Sequence, residues 1–126
     1  MDYKLEVVIV PVADVDRSKA FYAEQLGFNV DHDVEPNPGV RVVQLTPPGS
    51  GCSVVIGTGL APMEPGCIKG LQLTVNDMDT AVAELGGRGV GLSEVADLGR
   101  EGGPSFKHVF FSDPDGNGWT VQEIRT

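Results

Sequence analysis

The chain has 126 residues, 40% of them hydrophobic and 21% charged, with a formal net charge of −9. This is the make-up of one ordinary domain with a core of its own, and it excludes wholesale disorder. Nine Lys and Arg scattered among eighteen Asp and Glu do not make the basic face that a phosphate backbone demands, so no nucleic-acid partner is expected. The longest apolar run, Val7 to Ala13, is too short for a membrane span and is broken by Pro11, so no membrane partner is expected either. The opening Met-Asp-Tyr-Lys-Leu-Glu has neither the basic start nor the cleavage site of a secretory signal, which makes the cytoplasm the expected location. Cys52 and Cys67 lack CxxC spacing and read as two separate thiols.

In chain order, Leu5 to Val12 is rich in β-branched residues and predicts a strand. Asp14 to Arg17 supplies helix-start chemistry. Val15, Ala20, Phe21 or Tyr22, and Leu26 then give the helix one apolar stripe before Gly27 stops it. Phe21 is expected in the core and Tyr22 at its edge. Strands follow over 28–34, 40–45 and 52–56, the last reached through the turn Thr46-Pro-Pro-Gly-Ser-Gly51. Gly57 to Gly66, with two prolines and three glycines, is the linker candidate.

After the linker the order begins again. Leu71 to Val75 predicts a strand, 76–85 a helix with Met78, Val82 and Leu85 on one face, and 89–95 a short strand. A Gly-rich stretch over 97–105 offers a lid or a mobile loop ahead of a strand over 106–111. Phe111-Ser-Asp-Pro-Asp-Gly-Asn-Gly-Trp-Thr-Val-Gln-Glu123 reads as strand, tight turn, strand, with Asp113 and Pro114 opening the turn. Asp113, Asp115 and Asn117 look like a calcium loop in composition, but the later bidentate Glu is missing, so turn-making is their expected role. Val12-Ala-Asp-Val-Asp16 in the first half lies opposite Val75-Asn-Asp-Met-Asp79 in the second, and the Pro-Pro-Gly-Ser-Gly turn opposite Asp-Pro-Asp-Gly-Asn-Gly. This is a degenerate repeat of strand, helix and three strands. One such half covers a single sheet face with its helix, so two halves are needed, and they can close into a cup.

The closing hairpin, together with Asp14-Val-Asp-Arg-Ser-Lys-Ala-Phe-Tyr-Ala-Glu-Gln-Leu-Gly-Phe28, resembles the vicinal oxygen chelate superfamily. That superfamily holds the glyoxalases, the extradiol dioxygenases, fosfomycin-modifying enzymes and bleomycin-sequestering proteins. The resemblance covers nearly the whole chain and implies an α+β fold of paired βαβββ modules forming a glyoxalase-type open barrel or cup. Module one would cover about 1–57, the linker about 58–67 and module two about 68–126. It also implies a homodimer, with the cup built within a chain or by exchange of halves between chains.

Enzymes of that superfamily hold a divalent ion with His and Glu at symmetry-related seats on the first and last strand of each half. Counting from the helix-opening Asp and the turn Asp, the seats fall here on Val7, Ser53, Gly70 and Thr120. Valine and glycine offer no donor atom, and neutral hydroxyls are poor partners for a divalent ion. No metal and no cofactor is therefore expected. Glu123 stands an odd number of residues from Thr120 and faces the other side of its strand.

Strand parity places Gln122 with Thr120, Gln72 and Thr74 with position 70, and Ile9 with Val7 on the cavity wall. The family register adds His108 and Phe110, with Arg41 and Val43 as their mirrored counterparts. Arg41 suits a carboxylate or phosphate, and His108 is the candidate for hydrogen bonding or proton transfer. The plainer readings are an ion pair for Arg41 and a satisfied strand residue for His108. Trp119, on the opposite parity, is expected to pack beneath a helix. His32, on a strand expected at the sheet edge, is expected to be solvated.

The function implied is that of a metal-free protein that sequesters or senses a small organic ligand in its cup. The alternative is a metal-dependent lyase, isomerase or dioxygenase of the same superfamily with atypical ligands. A third reading is an interaction module that uses its open sheet edges.

Overall fold

A computed structural model describes residues 1–99, 102, 103 and 105–124. The elements in chain order are β1 (Val7–Ile9), α1 (Val15–Ala20), β2 (Asn29–Asn37), β3 (Val40–Thr46), β4 (Ser53–Thr58), β5 (Lys69–Val75), α2 (Met78–Gly87), β6 (Ala96–Asp97), β7 (Lys107–Ser112) and β8 (Gly118–Glu123). They form two four-stranded sheets of matching order, β1-β4-β3-β2 and β5-β8-β7-β6. In each, the first strand pairs parallel with the last and the remaining pairs are antiparallel. This is an α+β fold of the glyoxalase type.

Local chemistry sets the helices. The Asp14 side chain accepts the Arg17 N–H at 3.1 Å and the Asp77 side chain accepts the Thr80 N–H at 3.1 Å, each capping a helix start. Glu123 accepts the Met78 N–H at 2.8 Å, which ties α2 to β8. Beyond Ala20, α1 widens into a π-helical turn, Phe21–Gln25, closed by the Leu26 N–H on the Phe21 carbonyl at 3.1 Å. The longer hydrogen-bonded ring lets two adjacent side chains face inward. Tyr22 is accordingly fully buried beside Phe21 rather than at the core edge.

α1 and its π-helical turn lie between the sheets. On one side, Asp16 and Lys19 of α1 reach Arg41 and Asp33 of the first sheet. On the other, Phe21 and Tyr22 meet Phe111 and Trp119 of the second, with ring centroids 6.2 and 5.8 Å apart. Val43, Leu45, Val54 and Ile56 therefore share one core with Val109, Phe111, Trp119 and Val121. Each of these side chains alternates along its strand with one that faces away from that core.

A buried polar knot locks the layers. The Tyr22 hydroxyl donates to Asp113 at 2.7 Å and accepts the Trp119 indole N–H at 3.0 Å. Burial, and then the bond to Asp113, push the Tyr22 phenol well above its ordinary pKa. Asp115 of the same turn accepts the Ala13 N–H at 3.2 Å and pairs with Arg17 at 3.1 Å. The turn thus fastens the second sheet to the start of α1.

One expected strand changes. The segment 89–95 is not a strand; it is fixed to β7 by the Ser93 N–H on the Phe110 carbonyl at 2.9 Å and the Phe110 N–H on the Ser93 hydroxyl at 2.8 Å. A side-chain oxygen there replaces the carbonyl that a ladder would use, and the regular strand is only Ala96–Asp97. The Gly-rich stretch over 97–105, read as a lid or a mobile loop, falls partly outside the described residues. Its described part is gathered by Asp97, which accepts from the Gly99 and Phe106 N–H groups and the Ser105 hydroxyl; these bonds, with the Ser105 bond largest, draw its carboxyl down to about 2. No helix among the described residues is long and apolar enough to cross a membrane.

Candidate functional site

On the second sheet, Trp119, Val121 and Glu123 of β8 are buried against the core side, so Thr120 and Gln122 face away from it. Gln72 lies opposite Thr120 and Thr74 opposite Gln122 on β5; Phe110 and His108 lie opposite the same two residues on β7. Six of the residues expected on the cavity wall therefore share one face. Phe110 stands 46% exposed on it. The Gln72 amide donates to the Gln122 carbonyl. His108 Nδ1 lies 3.0 Å from the Phe106 carbonyl oxygen. A carbonyl only accepts, so in the neutral ring Nδ1 carries the hydrogen and Nε2 is left with a lone pair.

On the first sheet, Val7 lies opposite Ser53 and Ile9 opposite Val55. Val55 in turn lies opposite Gln44. None of these belongs to the common core, although Ser53 and Val55 are buried where they stand. This face carries a polar chain that the sequence did not announce. The Asp31 carboxylate accepts from the Thr46 hydroxyl, from Gln44 Nε2 at 3.1 Å and from Asn29 Nδ2 at 2.8 Å. Those three bonds, with Thr46 the largest, hold its carboxyl below the usual carboxylate range. The Thr46 and Ser53 hydroxyls are 2.6 Å apart. Asp31 reaches this group because the register between β2 and β3 shifts between Val30 and His32.

Arg41 and Val43 do not belong to that face. Val43 is 0% exposed in the core. Arg41 lies on the same side of β3, where its guanidinium donates to both Asp33 oxygens at 3.0 and 2.8 Å and to Asp16 at 2.8 Å. The counterparts of His108 and Phe110 are Gln44 and Thr46, an odd number of residues from Arg41 and Val43, and a strand turns its side chains over at every step. The β3 residues that share the face of Val55 are Val42, Gln44 and Thr46. Arg41→Ala is accordingly expected to leave ligand binding unchanged and to cost about 1 kcal/mol of stability, as part of an exposed charge network. Asp33 has a lowered pKa, first through its bonds to Arg41. The stability gap between wild type and Arg41→Ala should therefore be full above the ordinary carboxyl value of about 4 and close as the pH falls below it. Urea titrations between pH 7 and 3 measure it.

The metal seats do not fit a divalent ion. Val7 presents only carbon, and the Ser53 hydroxyl is engaged with Thr46. Gly70 sits in an irregularity of the β5 ladder at φ 105, a conformation a histidine would rarely adopt. The residue facing Thr120 across the ladder is the neutral Gln72. Among the described residues no group of three or more His, Cys, Asp or Glu is placed to hold a metal ion. Ser53, Gly70 and Gln72 do come together around a cleft of about 260 Å³ between the starts of β4 and β5, with Trp119 among the residues lining it.

Two sheets of matching order, each with its own helix and with a hydrogen-bonding face turned away from the core, define a protein built from duplicated βαβββ units. The chain belongs to the Glyoxalase/Bleomycin resistance protein/Dioxygenase superfamily, whose family model matches residues 4–121. It is similar to the crystal structure of TnmS3, an antibiotic binding protein from Streptomyces sp. CB03234, with 33% identity over 97% of this chain and 96% of that one and a TM-score of 0.79. A glyoxalase/bleomycin resistance protein from the same organism is 33% identical over 95% of this chain and 100% of its own, with a TM-score of 0.76. A superfamily member from Sphaerobacter thermophilus DSM 20745 is 28% identical over 98% of both chains, with a TM-score of 0.81. No curated protein matches the chain.

Proposed function

We propose that this protein binds a small organic molecule, to sequester or sense it, without a metal ion. The cup is formed when the outer face of the first sheet in one copy meets the outer face of the second sheet in another. Each chain is then one domain of two modules, over about 1–57 and about 68–126, joined by the linker. The observation that carries this reading is the placement of both polar faces outside the shared core, with hydroxyl, amide and imidazole groups set among Val7, Ile9, Val55 and Phe110. Such a mixture of apolar surface with a few fixed polar groups is what an organic ligand requires. The likeness to an antibiotic binding protein along nearly the whole chain supports the same reading.

The test combines sedimentation analysis with a thermal-shift screen of antibiotic-like organic compounds. A homodimer is expected, with hits that survive exhaustive dialysis against EDTA. Thr120→Trp should fill the face and weaken a hit by more than about tenfold, the cost of a blocked contact surface. Its melting temperature should stay near that of the wild type, because Thr120 faces away from the core. Stoichiometric metal whose removal abolishes binding, or unchanged binding by Thr120→Trp, would sink the proposal.

A further inference from the structure

Resting on that ligand-binding reading, we infer that Asp31 sets the hydrogen-bond polarity of the site, so that its ligand is one that donates: a phenol, alcohol or amine on an apolar frame. The direction follows from counting hydrogens along the chain of contacts. An ionised Asp31 can only accept, so the single Thr46 hydroxyl hydrogen points to it. The contact of 2.6 Å between Thr46 and Ser53 must then be made by the Ser53 hydrogen. With its only hydrogen committed to Thr46, Ser53 has nothing but lone pairs left for a ligand.

Gln44 also commits an amide hydrogen to Asp31. On the second sheet the Nδ1 hydrogen of His108 is held by the Phe106 carbonyl, which makes Nε2 of the neutral ring an acceptor. The Gln72 and Gln122 pair is balanced, since one amide hydrogen and one carbonyl lone pair are joined and three of each remain. Both faces therefore present more lone pairs than hydrogens. An anionic ligand would meet these lone pairs and the Asp31 charge on a chain whose net charge is −9. Arg41, the cation that would welcome a carboxylate, is on the other side of the first sheet and engaged with Asp16 and Asp33.

Nitrogen-edited NMR titrations with β-naphthol, its methyl ether and β-naphthoate test this. The three share one ring system and differ in donating, not donating, or bearing charge. The naphthol should shift the amide resonances of Thr46, Ser53 and residues 120–122 and bind roughly fivefold more tightly than the ether, the effect of one neutral hydrogen bond. The naphthoate should bind most weakly. Asp31→Asn lets the side chain donate to Thr46 and frees the hydroxyl hydrogens to turn, so the preference should fall below about twofold. Thr46→Val, close in shape, breaks the relay and should do the same. Equal binding of naphthol and ether at these faces, or a preference that persists in both variants, overturns this inference and leaves the binding reading in place. Absence of any shift on either face with all three compounds overturns both.

Discussion

Asp113→Asn is expected to be nearly as damaging as Asp113→Ala, at about 4 kcal/mol, although it changes one atom. The carboxylate is 5% exposed. One oxygen accepts the N–H groups of Asp115 and Asn117 at 3.0 and 2.9 Å. The other accepts the Tyr22 hydroxyl at 2.7 Å and Asn117 Nδ2 at 2.8 Å. An amide offers one acceptor oxygen, and its NH₂ would face two donors wherever it is turned. At least one buried donor pair is left without a partner, at roughly 1–3 kcal/mol for each such group. Tyr22 and Trp119 then lose their common anchor. The outcome should be a melting temperature lower by more than about 10 °C. A shift within about 3 °C in differential scanning calorimetry would mean that this knot does not hold the layers together.

The second large effect is expected from Gly66→Ala. A Cβ at Gly66 would lie 2.2 Å from the Asp115 carbonyl oxygen, and the residue has φ +83. The collision is with backbone, so no side chain can move aside. Neither partner is free to retreat, because Asn117 Nδ2 donates to the Pro11 carbonyl at 2.9 Å and the Ile68 N–H reaches Asn117 Oδ1 at 3.1 Å. The expected cost is about 3 kcal/mol or more, of which roughly 1–2 is the left-handed backbone. Gly49→Ala is the control. It has φ +82 and nothing within 4 Å of a Cβ, so only the backbone share should appear. Equal losses in the two variants would remove the collision as the cause.

The architecture was legible in the sequence because it is carried by local signals. Asp14 and Asp77 cap helices, the Asp-Pro-Asp-Gly-Asn-Gly turn closes a hairpin, and the apolar periods are short and clean. The face of the second sheet was legible for a similar reason: parity on β8 follows from Trp119 and Val121, and β5 and β7 inherit it through their pairing. The first sheet was harder. β2 is edge-exposed and polar, and its two register shifts leave no trace in composition, so neither Asp31 nor its partners Gln44 and Thr46 stood out. Arg41 and Val43 follow only from mirroring His108 and Phe110, and the mirror lands on the wrong strand face because the turns of the two halves differ in length. Tyr22 is buried rather than at the core edge because a π-helical turn adds a residue that no periodicity shows in advance.

The alternation along β4 and β8 has an evolutionary consequence. Ser53 and Thr120 stand next to Val54 and Trp119 in the chain yet point the opposite way from them. On the proposed ligand-binding reading, every second letter of these strands could therefore be rewritten to suit a new compound while the interleaved letters go on holding the molecule in shape. On that reading, recognition and thermal endurance are written in separate alphabets, and the scaffold can be retuned without being rebuilt.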